Sequence, residues 1–237
     1  MAIDRKQGTL FLLPTHLGNT NIHETFPQIN SETAAHIRHF IVENTRTARR
    51  ALKLLCPDIS IDACTFYELN KYIPEHEIEN IITPLFEGFD MAVMSEAGMP
   101  CIADPGNLVV AQAHTHSIRI VPLIGPSSIL LALIASGFNG QLFTFHGYLP
   151  IKEGKKQSIL KLESDAKRHH HTQIFMETPY RNQKLFEELI QILSPETKLC
   201  IACDISLPSQ YIATKTIKEW KHTQVNFHKR LCVFLIQ

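Results

Sequence analysis

A short apolar run, Met91-Ala92-Val93-Met94, empties into Ser95-Glu96-Ala97-Gly98-Met99-Pro100-Cys101-Ile102-Ala103-Asp104-Pro105-Gly106, and a second apolar run, Leu108-Val109-Val110-Ala111, follows at once. A short apolar run bounded by turn residues reads as a buried strand. The pattern is strand, loop, helix, with the helix over about 107–115. In open α/β sheets such loops lie at the carboxyl ends of the strands, where ligands bind. Gly98 and Gly106 permit close backbone approach or positive φ. Pro100 and Pro105 stiffen the turns. A rigid loop of bare backbone suits a small-molecule cofactor.

The same alternation runs through the first half. Residues 9–13 form an apolar run stopped by Pro14, and loop 14–19 follows. Residues 30–39 read as helix, 40–42 as strand, 45–55 as helix, and 75–87 as a helix stopped by Gly88. Strand 118–122 leads to Gly125-Pro126-Ser127-Ser128 and a helix to Ser136. Ser127 or Ser128 is its natural N-cap and Gly137 its C-terminal cap. Strands alternating with helices imply a mostly parallel sheet covered on both faces. Composition shifts near Gly140. Strand-like 143–145, a turn at 147–150, Lys- and His-rich 151–171, strand 173–177, helix 181–193, and strands 199–205 and 230–236 follow. The expectation is an α/β protein of two domains, 1–140 and 141–237, the first with a parallel sheet. Loops 14–19, 95–106 and 123–128 would gather on one edge of that sheet.

Composition narrows the partners. Lys+Arg and Asp+Glu are both 23, so no overall charge drives the 237-residue chain onto nucleic acid, although a local basic patch remains possible. No apolar run approaches the roughly 20 residues of a membrane span. The polar start, residues 1–7, lacks a signal-peptide core. The expectation is a cytoplasmic protein with no membrane association. The six cysteines do not imply a disulfide framework. Cys200 and Cys203 lie three apart on a strand and face opposite ways, so they read as buried structural cysteines rather than metal ligands. His169, His170 and His171 read as a solvated turn, because no further ligands stand at metal-site spacing. No metal is expected.

Loops 14–19, 95–106 and 123–128 offer backbone N–H groups, serines and carboxylates, but no dinucleotide or P-loop glycine pattern and no nucleophile elbow. Five blocks carry a resemblance instead. They are Gly8-Thr9-Leu10 through Pro14-Thr15 and Leu17-Gly18-Asn19; Glu43-Asn44-Thr45-Arg46; Ser95 to Pro100 with Asp104-Pro105-Gly106; residues 122–128 with Ala135-Ser136-Gly137; and Gly147-Tyr148-Leu149-Pro150 with Glu177-Thr178-Pro179-Tyr180-Arg181. Taken in series they resemble the tetrapyrrole-methylase-like superfamily, and within it the small-subunit rRNA cytidine 2′-O-methyltransferase family. Asn44 stands where that family usually has Asp, Glu96 and Met99 replace Asp and Thr, and Cys203-Asp204-Ile205-Ser206-Leu207 replaces an Arg-Glu-Leu-Thr-Lys motif. The chain ends at its last strand, where many members carry a helical extension.

The resemblance implies two α/β domains with S-adenosylmethionine in the cleft between them. It places the cofactor against Pro14, Gly98, Met99, Pro100, Cys101 and Ile102, against Ser127 and Ser128, and against Phe175, Met176, Cys203, Asp204 and Ile205. It also implies a homodimer and an rRNA or small-ribosomal-subunit partner. A ribose hydroxyl needs its proton drawn off as it attacks, and Glu43, Glu96, Asp104 and Glu177 are the candidate bases. Asp104 could instead cap the helix near Asn107, and both roles stay open. Glu43, with Arg46 close by in sequence, inclines toward the substrate. Arg46, Arg49, Arg50 and Lys53 fall on one face of helix 45–55, with Ala48, Leu52 and Leu55 opposite. That face is either a solvated surface or a phosphate-binding stripe. Lys152, Lys155, Lys156, Lys161, Lys167 and Arg168 form a second basic zone. The alternatives are methylation of a small molecule such as a tetrapyrrole, and a SAM- or RNA-binding protein without turnover.

Overall fold

The computed structural model describes residues 7–18, 21–70, 72–151 and 153–237. Asn19 of the first block and Lys152 of the second basic zone lie outside them. The chain divides into two compact units, 1–126 and 127–237.

The first unit holds strands β1 (Thr9–Leu12), β2 (His39–Val42), β3 (Thr65–Glu68), β4 (Met91–Met94) and β5 (Arg119–Pro122). Between them lie helices α1 (Ile22–Thr25), α2 (Gln28–His36), α3 (Thr45–Leu55), α4 (Glu75–Ile81), α5 (Thr83–Phe86) and α6 (Gly106–Thr115). The strands pair in parallel in the order β3-β2-β4-β1-β5. Successive side chains on a strand point to opposite faces. Phe40, Val42, Ala92 and Met94 pack with α2 and α3 on one face, and Ile41, Met91 and Val93 with α4 and α6 on the other. That double burial is why β4, at the centre of the sheet, is apolar at every position.

The second unit opens with α7 (Ser128–Ser136) and continues through β6 (Phe143–Tyr148), α8 (Lys155–His169), β7 (Thr172–Met176), α9 (Asn182–Ile192), β8 (Lys198–Cys203), β9 (Tyr211–Thr216), α10 (Ile217–Trp220) and β10 (Cys232–Ile236). Its sheet is mixed, in the order β6-β7-β10-β8-β9, with only β6 and β7 parallel.

The boundary falls at Pro126/Ser127 rather than at 140/141, because α7 packs on β8, β9 and β10. The expected helix 75–87 is two helices. Pro84 lacks an N–H and cannot continue α4, but it suits the first turn of α5. Cys200 is a buried free thiol as expected, whereas Cys203 is disulfide-bonded to Cys232, its cross-strand neighbour. Among the described residues no helix is long and apolar enough to cross a membrane, and no His, Cys, Asp and Glu cluster could hold a metal.

Candidate functional site

Parallel pairing brings the carboxyl ends of β1 to β5 to one edge. The loops after β4, β1 and β5 therefore stand side by side, and the ends of β2 and β3 join them.

Two of these loops are tied together. Thr15 N–H donates to Gly98 O at 2.8 Å, and Gly98 N–H donates to Thr15 O at 3.1 Å. Thr15 Oγ1 donates to Ser95 O at 3.0 Å, and Ser95 Oγ donates to Gly98 O at 3.2 Å. Gly98 has φ +75°, and a Cβ there would crowd Leu17 and the Pro126 carbonyl. Pro14 is buried against Gly125, where a Cβ would lie 2.3 Å from the proline Cγ. Pro14 and Gly98 are thus held close to one another. Pro100 is buried, Met99 half-buried and Ile102 exposed.

Beyond Pro100 the loop is strained. Cys101 and Ala103 have φ of +70° and +66°. Each non-glycine residue there costs on the order of 1–3 kcal/mol, which the surroundings must override. Asp104 supplies that restraint: its Oδ1 accepts from Cys101 N–H at 3.0 Å and Gly106 N–H at 2.8 Å. Gly106 opens α6, so one oxygen caps the helix. The other, Oδ2, is buried and meets no partner. Of the two roles expected for Asp104, the hydrogen bonds of Oδ1 are those of a cap.

That Asp104 lines a cavity of about 530 Å³ with Glu43, Leu69, Asn70, Ala103, Pro105, Asn107 and Leu108. Glu43 follows β2, and its Oε1 accepts from Glu96 N–H at 3.3 Å. Burial, aided by the charges of Asp104 and Glu96, raises the Glu43 carboxyl above the usual range despite that hydrogen bond. A base with a raised pKa is better matched to neutral pH. Burial and Asp104 push the Cys101 thiol up to about 12, so it stays protonated and is no nucleophile.

Arg46 does not line the cavity; it sits exposed in the first turn of α3. Asn44 caps that helix, accepting from Arg46 N–H at 3.0 Å and Thr47 N–H at 3.1 Å. Asn caps as well as Asp, so the departure at position 44 keeps the helix start. Glu96 reaches the same turn, where Thr47 Oγ1 donates to it at 3.1 Å. Arg46, Arg49, Arg50 and Lys53 are exposed, opposite buried Ala48, Leu52 and Leu55. Arg49 lies 5.5 Å from the Phe66 ring centroid.

In the second unit, Ser127 is the N-cap of α7, accepting from Leu130 N–H at 3.4 Å, and Ser128 is its first residue. β7 and β8 both run antiparallel to β10, so their carboxyl ends flank its start. Half-buried Met176 ends β7, and buried Asp204 and Ile205 follow β8. Asp204 has φ +48°. Its Oδ2 accepts from Arg230 Nε at 2.8 Å and Ser209 Oγ at 3.0 Å, and its Oδ1 from Leu231 N–H at 3.1 Å. Those bonds outweigh burial and hold its carboxyl below the usual range. Glu177 is buried and accepts from Arg181 at 2.6 Å and Thr178 N–H at 2.7 Å. Burial works against ionisation here too, and these donors override it. In the second basic zone, Lys155 pairs with Glu188 and Lys167 with Glu163, whereas Lys156, Lys161 and Arg168 are exposed.

Asn70 had no part in the sequence reading and Asn107 served only to mark a helix start, yet both line the cavity. Asn70 follows β3, a strand with no apolar run to announce it.

Residues 32–221 match the family model for Tetrapyrrole (Corrin/Porphyrin) Methylases. Ribosomal RNA small subunit methyltransferase I of Streptococcus pyogenes serotype M6 is 37% identical over 179 residues, covering 75% of this chain and 58% of that protein. The Vibrio cholerae protein of the same name is 28% identical, covering 83% of this chain and 65% of its own length. The chain thus spans about three-fifths of the length of these curated relatives. The crystal structure of the methyltransferase CobJ superposes with a TM-score of 0.64 at 15% identity, covering 97% of this chain and 93% of that one. This likeness shows the fold.

Proposed function

Because the chain belongs to the tetrapyrrole (corrin/porphyrin) methylase family, we propose that it is an S-adenosylmethionine-dependent methyltransferase acting on a cytidine ribose 2′-hydroxyl of small-subunit ribosomal RNA. The observation that carries the reading is the Glu43 carboxyl, with its raised pKa, in a cavity bounded by the Gly98–Gly106 loop. The relatives' name supports small-subunit ribosomal RNA as the methylated molecule.

The left-handed turn at Gly98, locked to Thr15, carries no side chain, and its rigid wall suits a cofactor that approaches the loop closely. Pro14, Gly98, Met99, Pro100 and Ile102 would hold the cofactor in the first unit. Ser127, Ser128, Met176, Asp204 and Ile205 would hold it in the second. Asp204 acts there through its backbone, since its carboxylate serves Arg230, Ser209 and Leu231. When bound, S-adenosylmethionine supplies an electrophilic methyl group on its sulfonium. In-line placement of nucleophile, methyl and sulfur provides much of the rate. Glu43 takes the proton of the attacking hydroxyl. Asp104 keeps the strained 101–106 turn in place, and Glu177 holds Arg181 at the start of α9. Arg46, Arg49, Arg50 and Lys53 contact phosphates. The protein works in the cytoplasm as a homodimer.

The test uses small ribosomal subunits from a strain lacking this gene. The expected result is labelled methyl transfer from S-adenosylmethionine to one ribose. Transfer to a tetrapyrrole instead, or cofactor binding without transfer to either, overturns the reading.

A further inference from the structure

We propose that the cavity of Glu43, Asn70, Asp104 and Asn107 is a pocket for the amino-bearing edge of a nucleobase, with Asn70 and Asn107 as specificity residues. The proposal rests on the nucleic-acid reading above. The cavity, at about 530 Å³, lies within the usual range for small-ligand pockets, and among the described residues its charged lining is Glu43 and Asp104. Those two carboxylates make it a poor seat for a phosphate, and the exposed cations of α3 take that part. Leu69, Pro105 and Leu108 give apolar surface suited to the faces of an aromatic ring. The polar lining is rich in acceptors. Asp104 Oδ2 is buried without a partner, so a ligand that donates a hydrogen bond there removes the cost of an unsatisfied group.

A nucleobase amino group is such a donor, and carboxylates read it. Beside it, the base edge carries ring-nitrogen or carbonyl acceptors, which an asparagine amide can meet. Tyr72 N–H donates to Asn70 Oδ1 at 2.8 Å and fixes that amide's plane. Uracil presents a carbonyl where cytosine presents its amino group, so it would set oxygen against carboxylate. Enzymes that modify one nucleotide commonly read its base outside the stack, in a pocket of this kind. The base in the cavity would also bring its own ribose toward Glu43.

The experiment titrates the full chain, saturated with S-adenosylhomocysteine, with cytidine, adenosine and uridine. Nucleosides carry no phosphate, so α3 contributes nothing. The readout is the side-chain amide signals of Asn70 and Asn107 in 1H–15N spectra. Expected are shifts at both amides with an amino-bearing nucleoside, and affinity roughly fivefold or more above that for uridine. Comparing cytidine with adenosine tells which base is read. Asn70→Leu and Asn107→Leu should abolish the preference while cofactor affinity is kept. Equal binding of uridine, or shifts confined to other residues, overturns the proposal. The methyl-transfer assay stands apart from this test. Transfer without nucleoside discrimination overturns the pocket alone, and discrimination without transfer overturns the acceptor alone.

Discussion

In the second unit Glu163, Glu177 and Asp204 are each met by a cation: Lys167, Arg181 and Arg230. In the first, Glu43, Glu96 and Asp104 crowd one sheet edge, and among the described residues no lysine or arginine forms an ion pair with them. The titrations diverge accordingly. Burial works to raise Glu43, Glu163, Glu177 and Asp204 alike. Donors override it for Glu163, Glu177 and Asp204, whereas neighbouring charge reinforces it for Glu43. Paired carboxylates of the second kind brace a fold. A carboxylate kept unpaired beside others costs stability, and such arrangements concentrate at functional sites.

Breaking each kind of carboxylate should give opposite results. The largest effect is on turnover: Glu43→Gln should slow methyl transfer by roughly 10²–10⁴-fold, the usual worth of a general base. Its stability to urea at neutral pH should stay level or rise, because a charge penalty is removed. A Glu43→Gln protein with normal turnover would place the base elsewhere. Asp204→Ala should do the reverse in urea unfolding, losing about 2 kcal/mol with the hydrogen bonds to a charged group.

The comparison also has a pH signature. Glu163, Glu177 and Asp204 have lowered folded pKa values. Their stabilisation is complete above the unfolded values, 4.5 for glutamate and 3.8 for aspartate, and is lost as pH falls through the folded ones. Glu43 is raised, so its favourable contribution exists below 4.5 and is lost as pH rises through its folded value. Urea titrations across pH should therefore show the Glu43→Gln gain at neutral pH vanish in acid. The Asp204→Ala loss should shrink only at more acidic pH. The smallest effect concerns α3: Arg46→Ala with Arg49→Ala should lower the salt slope of RNA binding by about 0.7 per lost contact to single-stranded phosphate. An unchanged slope would make that face a solvated surface only.

Much of this was legible in the residues. Helix α3 follows from its stripe, and β1 and β4 from apolar runs ended by Pro14 and by the Gly98 loop. The gathering of loops at one edge follows from parallel pairing. The edge strands β3 and β9 escaped, because Thr65–Glu68 and Tyr211–Thr216 are only partly buried and lack an apolar run. Helix α8 was hidden by its lysines and histidines, and it starts at Gly154 without a side-chain cap. The partner of Cys203 is set by the register of β8 against β10, which residue spacing does not carry. Asn70 and Asn107 line one cavity only because the segments after β3 and β4 converge.

The paired hydrogen bonds between Thr15 and Gly98 have a consequence for motion. Two loops that could fluctuate separately are coupled at one point, in the manner of a rivet. Order imposed on residues 97–100 by a ligand is transmitted to residues 14–17. The amides of both loops should then gain protection from hydrogen exchange together, even where the ligand touches one of them.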